Sequence, residues 1–105
     1  MSTDLKFKHP ELWVLQGRDK PRVVAAKNIR KELSRFYPDT KFTVRSDNFA
    51  NGNAVRIVWT GGPDQSEIAR LVDKYQNRFG DTDWNKTFGG AVFVTTHRHR
   101  DEVTA

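Results

Sequence analysis

The chain contains no cysteine in 105 residues. Disulfide bridges, thiolate metal centres and a cysteine nucleophile are thereby excluded, and such a composition suits a reducing cytosol. Long apolar runs are also missing. The opening residues Met1-Ser2-Thr3-Asp4-Leu5-Lys6-Phe7-Lys8 hold no apolar leader core, and no window approaches the roughly 18 apolar residues of a membrane span. A cytoplasmic location with no membrane partner is therefore expected.

Catalytic signatures are equally scarce. There is no Gly-x-Ser-x-Gly elbow, and Ser2, Ser34, Ser46 and Ser66 fall on an arm, a helix, a strand end and a helix cap. Gly61-Gly62-Pro63 lacks both the lysine of a phosphate-binding loop and the dinucleotide spacing, and reads as a strand-to-helix turn. Asp81 and Asp83 have no partner base. His97 and His99 share a strand face, but a third metal ligand would have to come from His9, Asp81, Asp83 or Asp101; nothing fixes that geometry, and two arginines interrupt it. The sequence thus indicates a non-enzymatic protein with no metal, no cofactor and no small-molecule substrate.

What is present suffices for one core. Hydrophobic residues make up 36% of the chain, with three Trp and seven Phe, against 30% charged. That balance describes a single globular domain over residues 1–105, with residues 1–9 and 97–105 as loosely ordered ends. Leu12 to Leu15 is a short apolar run between Pro10 and Gly17, read as a buried strand or a helical turn. Val23, Ala26, Ile29, Leu33 and Tyr37 keep helical spacing from Pro21 to Phe36, and Pro38 stops that helix. Phe42 and Val44 alternate with Lys41, Thr43 and Arg45 on one strand. Val55, Ile57 and Trp59 alternate with Arg56, Val58 and Thr60 on the next. The loop between them ends in Asn51-Gly52 and reads as longer than two residues.

Ile68, Leu71, Val72, Tyr75 and Phe79 predict a second helix from about Asp64 to Phe79, with Asp64 and Glu67 as a capping pair and Gly80 at its end. Asp81 to Thr87 reads as a polar loop around Trp84, Ala91 to Thr96 as a last strand, and residues from His97 as a frayed tail. The class is α+β: an antiparallel sheet of three or four strands with two helices on one face. Its order is β-α-β-β-α-β, a ferredoxin-like split βαβ, or α-β-β-α-β if the Trp13 run is not a strand.

Charge is uneven. The net charge is +5, and between Asp19 and Tyr37 six basic residues stand against Asp19 and Glu32. Lys20, Lys27, Lys31 and Arg35 fall within about 80° of arc on the first helix. Like charges four residues apart cost an isolated helix roughly 0.2–0.5 kcal/mol per pair, a repulsion that phosphates would remove. Arg45 and Arg56 could join from the hairpin, and Arg98 and Arg100 from the tail. Nucleic acid, DNA or RNA, held without sequence specificity is the expected partner. The alternative is an accessory or anti-defence protein, for example anti-CRISPR-like, that inhibits a host protein complex. Phe49 and Trp84, aromatics in polar loops, would be its anchors.

Lys41-Phe42-Thr43-Val44-Arg45-Ser46-Asp47-Asn48-Phe49-Ala50-Asn51-Gly52 resembles a large polyvalent protein-associated domain, a family found in mobile elements. So do Trp59-Thr60-Gly61-Gly62-Pro63, Val72-Asp73-Lys74-Tyr75-Gln76 and the upstream Asn28-Ile29-Arg30-Lys31-Glu32-Leu33, over roughly residues 24 to 96. The resemblance implies an origin in a phage or conjugative plasmid. It implies no catalytic residue and no ligand, because the family has none assigned.

Overall fold

Alternating polarity between Lys41 and Thr60 builds the frame of the computed structural model, which describes residues 2–100. β1 (Phe42–Phe49) and β2 (Gly52–Thr60) pair antiparallel, with Phe42 opposite Trp59, Val44 opposite Ile57 and Ser46 opposite Val55. Both strands run closer to their turn than expected, so only Ala50 and Asn51 separate them. Gly52 alone takes a positive φ there, and no non-glycine residue among those described does so.

β3 (Phe93–His99) completes a sheet ordered β1-β2-β3. It runs parallel to β2, with Val94 opposite Val55, Thr96 opposite Ile57 and Arg98 opposite Trp59. The sheet is therefore mixed, which corrects the expected antiparallel arrangement. The connection explains it: between Thr60 and Phe93 the chain crosses through helices, and a long crossover of this kind delivers the next strand in the same direction. His97 to His99, expected to fray, belong to this strand.

The split βαβ order does not form, because Leu12 to Leu15 is not a strand. Trp13 N donates to Asn28 Oδ1 at 2.6 Å, and Asn28 Nδ2 donates to Trp13 O at 2.9 Å. Leu15 N donates to Thr87 O at 2.7 Å. One carboxamide thus satisfies both backbone groups of Trp13, and a neighbouring strand has nothing left to pair with there.

α1 (Ser2–Lys8) stands where a loose arm was expected and packs on α4 (Asp83–Phe88). α2 (Pro21–Phe36) has the expected bounds and buries Val24, Ala25, Ala26, Ile29 and Leu33, together with Asn28 and Glu32. α3 (Gln65–Val72) continues only as a 3-10 turn, Asp73–Tyr75. The helix expected through Phe79 stops because Gln76 is extended and bridges Ala91 beside β3, which leaves Phe79 almost fully exposed. Asp64 makes no side-chain cap, and Glu67 accepts the Tyr37 hydroxyl instead.

α4 replaces the expected polar loop. Thr82 and Asn85 cap it reciprocally: Asn85 N donates to Thr82 Oγ1 at 3.3 Å and Thr82 N to Asn85 Oδ1 at 3.0 Å. Gly89 then takes φ 90°, where an added Cβ would lie 2.5 Å from Pro21 O and 2.8 Å from Ala25 N. Only glycine lets α4 close against the first turn of α2.

Val44, Val55, Ile57 and Trp59 meet Ile29, Leu33, Ile68, Val72, Tyr75 and Phe88 in one core, with Phe42 and Leu71 at its margin. A charge lies within it. Glu32, only 7% exposed, accepts from Lys74 Nζ at 2.7 Å and from the Tyr75 hydroxyl. Burial, then the charge of Glu32, pushes the Tyr75 hydroxyl well above its ordinary pKa, so it stays a protonated donor. No helix among the described residues is long and apolar enough to cross a membrane.

Candidate nucleic-acid interface

The helices cover one face of the sheet, and strand alternation sends the other side chains away from them. From β1 project Thr43, Arg45, Asp47 and Phe49; from β2 Ala54, Arg56, Val58 and Thr60; from β3 Phe93, Thr95, His97 and His99. Arg45 lies directly opposite Arg56. Like charges so placed destabilise a sheet, and Asp47 offsets part of this through its 3.0 Å contact with Arg56 Nε. Both partners of that ion pair are about half exposed, so it is screened and contributes less than about 1 kcal/mol.

Two aromatics close one end of this face. The rings of Phe49 and Phe93 lie 6.4 Å apart and 19° from parallel, and they remain 42% and 36% exposed. Phe49 is the register partner of Gly52 and Phe93 of Ala54, and Ala54 is buried although it points away from the helices. The Arg78 guanidinium sits 5.6 Å from the Phe93 ring and 5.7 Å from Phe79, within cation–π range. Further along, the His97 and His99 rings meet edge to face at 4.5 Å beside Val58 and Thr60. Lys41 and Thr43 border the same end of the face.

Sequence reasoning placed Phe49 in a loop and gave Phe93 no role. Neither position could be assigned to a face without the length of β1 and the parallel register of β3. The odd-numbered spacing of Thr43, Arg45, Asp47 and Phe49 was the available signal for the first. For Phe93 there was none.

The expected cations fall into separate groups. Lys20, at the N-cap of α2, and Lys27, Lys31 and Arg35 along it are all exposed, and the buried side of α2 faces β1 and β2, so they lie on the far side of the molecule from Arg45 and Arg56. Their repulsion is already eased by neighbours. Lys27 and Lys31 rest 5.4 and 5.5 Å from the Trp13 ring, which is 55% exposed, and Arg35 reaches Glu11 at 3.4 Å. Arg98 is not a free cation: it donates through Nε to Gly61 O at 2.9 Å and through Nη2 to Gly62 O at 3.4 Å, tying β3 to the turn after β2. Arg100 is exposed just beyond β3.

Of the two aromatics read as protein anchors, Phe49 stands on the open face. Trp84 packs against the core, 4.7 Å from Phe88, 4.9 Å from His9 and 5.7 Å from Tyr75, with Lys74 Nζ 4.6 Å over its ring. Among the described residues no three His, Asp or Glu side chains gather as a metal would need. Asp101 lies outside the described residues.

The model of one family, large polyvalent protein associated domain 29, matches residues 22–102. That span holds most of the chain, and the protein belongs to this family. Membership points to a phage or another mobile element. The match takes in the whole sheet and nearly all of α2, and leaves out α1 and the Trp13 segment. No curated protein and no solved structure matches the chain.

Proposed function

We propose that this large polyvalent protein associated domain binds nucleic acid through the helix-free face of its sheet, acting without catalysis in the cytoplasm of the host of a phage or plasmid. The observation that carries the reading is Arg45 opposite Arg56 on an exposed face. The sheet sets two arginines directly opposite each other at a cost, and one carboxylate offsets only part of it. Phosphate oxygens would supply the rest, and they are the acceptors to which a guanidinium binds best in bidentate geometry. The α2 row is the weaker candidate, because Trp13 and Glu11 already engage three of its four cations.

The test is titration of a labelled oligonucleotide at several salt concentrations with the wild type and an Arg45→Gln/Arg56→Gln variant. The variant should lose roughly two units from the slope of log affinity against log salt, about one for each phosphate contact. No binding by the wild type at low salt, or an unchanged slope in the variant, overturns the reading. The rival reading, a host protein held by the open face, is separated by a pull-down from host lysate with and without nuclease. Nuclease-resistant recovery of one stoichiometric protein would replace the proposal with that rival.

A further inference from the structure

Resting on that reading, we infer that the open face takes an unpaired strand and that its bases stack on Phe93 and Phe49. Four observations lead there. The two rings are nearly parallel, at 6.4 Å and 19°, and more than a third of each is exposed. The Arg78 guanidinium lies 5.6 Å over the Phe93 ring, and a base can stack on a guanidinium plane as it can on an aromatic ring. Arg45 and Arg56 follow two or more residues along the strands, about 7 Å or more from the rings. The face from Ala54 to Thr60 is about 20 Å long, the scale of the shortest single-strand sites of about four nucleotides.

A duplex cannot use this arrangement. Its base pairs are stacked on one another along the helix, so the interior of a duplex offers Phe49 and Phe93 no free π-face, and only the guanidiniums would be engaged. An unpaired strand satisfies both sets at once. It covers the apolar rings with bases and the cations with phosphates, and it does so without reading sequence.

The experiment compares a fluorescein-labelled 12-mer oligo-dT, the matching oligo-U and a 12-base-pair duplex, titrated with the wild type and with Phe49→Leu/Phe93→Leu. Leucine keeps an apolar cover over Ala54 and removes the π-face. The wild type should prefer both single strands to duplex by at least tenfold. The variant should lose about tenfold or more on the single strands, keep its salt slope, and bind duplex as before. Equal or tighter wild-type binding to duplex, with the Arg45→Gln/Arg56→Gln variant still weakened, overturns this inference and leaves the nucleic-acid reading standing. No binding to any of the three overturns both. Should the leucine variant fail to fold, the wild-type NMR spectrum decides: the Phe93 and Phe49 ring protons should move upfield on adding oligo-dT, as stacking requires. Unmoved ring resonances at saturation refute it.

Discussion

Val44, Val55 and Ile57 alternate with Arg45, Ala54 and Arg56 along the same two strands, and the two sets of side chains answer to different forces. The first set is almost fully buried against α2 and α3 and is held by apolar area removed from water. In the second set Arg45 and Arg56 meet solvent and carry like charges across the hairpin, Ala54 is covered, and two stacked, part-exposed rings adjoin them. A period of two keeps these requirements apart, so the side that stabilises the sheet contributes nothing to the chemistry of the other. α2 repeats the division at helical period: Ile29 and Leu33 lie in the core, while Lys27, Lys31 and Arg35 remain outside it.

The comparison is broken most severely from the inner face. Ile57→Ala should cost about 4 kcal/mol of unfolding free energy, because a fully buried branched side chain leaves a cavity between two helices and the sheet. Denaturant melts measure this, and nucleic-acid affinity per folded molecule should not change. A loss below about 1 kcal/mol would show that the inner face is not the stabilising one.

Glu32→Gln comes next, at about 2–3 kcal/mol. Glu32 holds Lys74 Nζ and the Tyr75 hydroxyl inside the core, and glutamine cannot satisfy both. Lys74 is 30% exposed on its side chain and can turn to water, which keeps the cost below that of a fully buried pair. Chemical denaturation of the variant checks it, and a stability gain would contradict this account of the network.

The smallest effect should come from the far side of the molecule. Lys27→Gln, Lys31→Gln and Arg35→Gln together should leave the melting temperature level or slightly raised. Relief of like-charge repulsion, roughly 0.2–0.5 kcal/mol per pair, is set against the lost Arg35–Glu11 contact. The triple variant should change the salt slope of nucleic-acid binding less than Arg45→Gln/Arg56→Gln does. If it changes the slope more, the interface is α2 and the contrast between the two sheet faces carries no functional meaning.

Local rules in the chain decided a large part of this protein. The apolar spacing and Pro38 delimit α2, the alternation from Phe42 to Trp59 assigns the inner faces of β1 and β2, and Phe42, Val44, Val55, Ile57, Leu71, Val72 and Tyr75 meet in one cluster. These follow from neighbours in sequence, through side-chain periodicity and proline geometry. Tertiary structure alone decided the remainder. Asn28 replaces a strand partner for Trp13, the Gln76–Ala91 bridge ends α3 early, and Gly89 brings α4 onto α2. The parallel register of β3 places Phe93 near Phe49 and turns Arg98 inward to Gly61. Each of these joins residues far apart in the chain. Which residues become neighbours across a sheet depends on pairing direction and register, and neither is written in the residues of one strand.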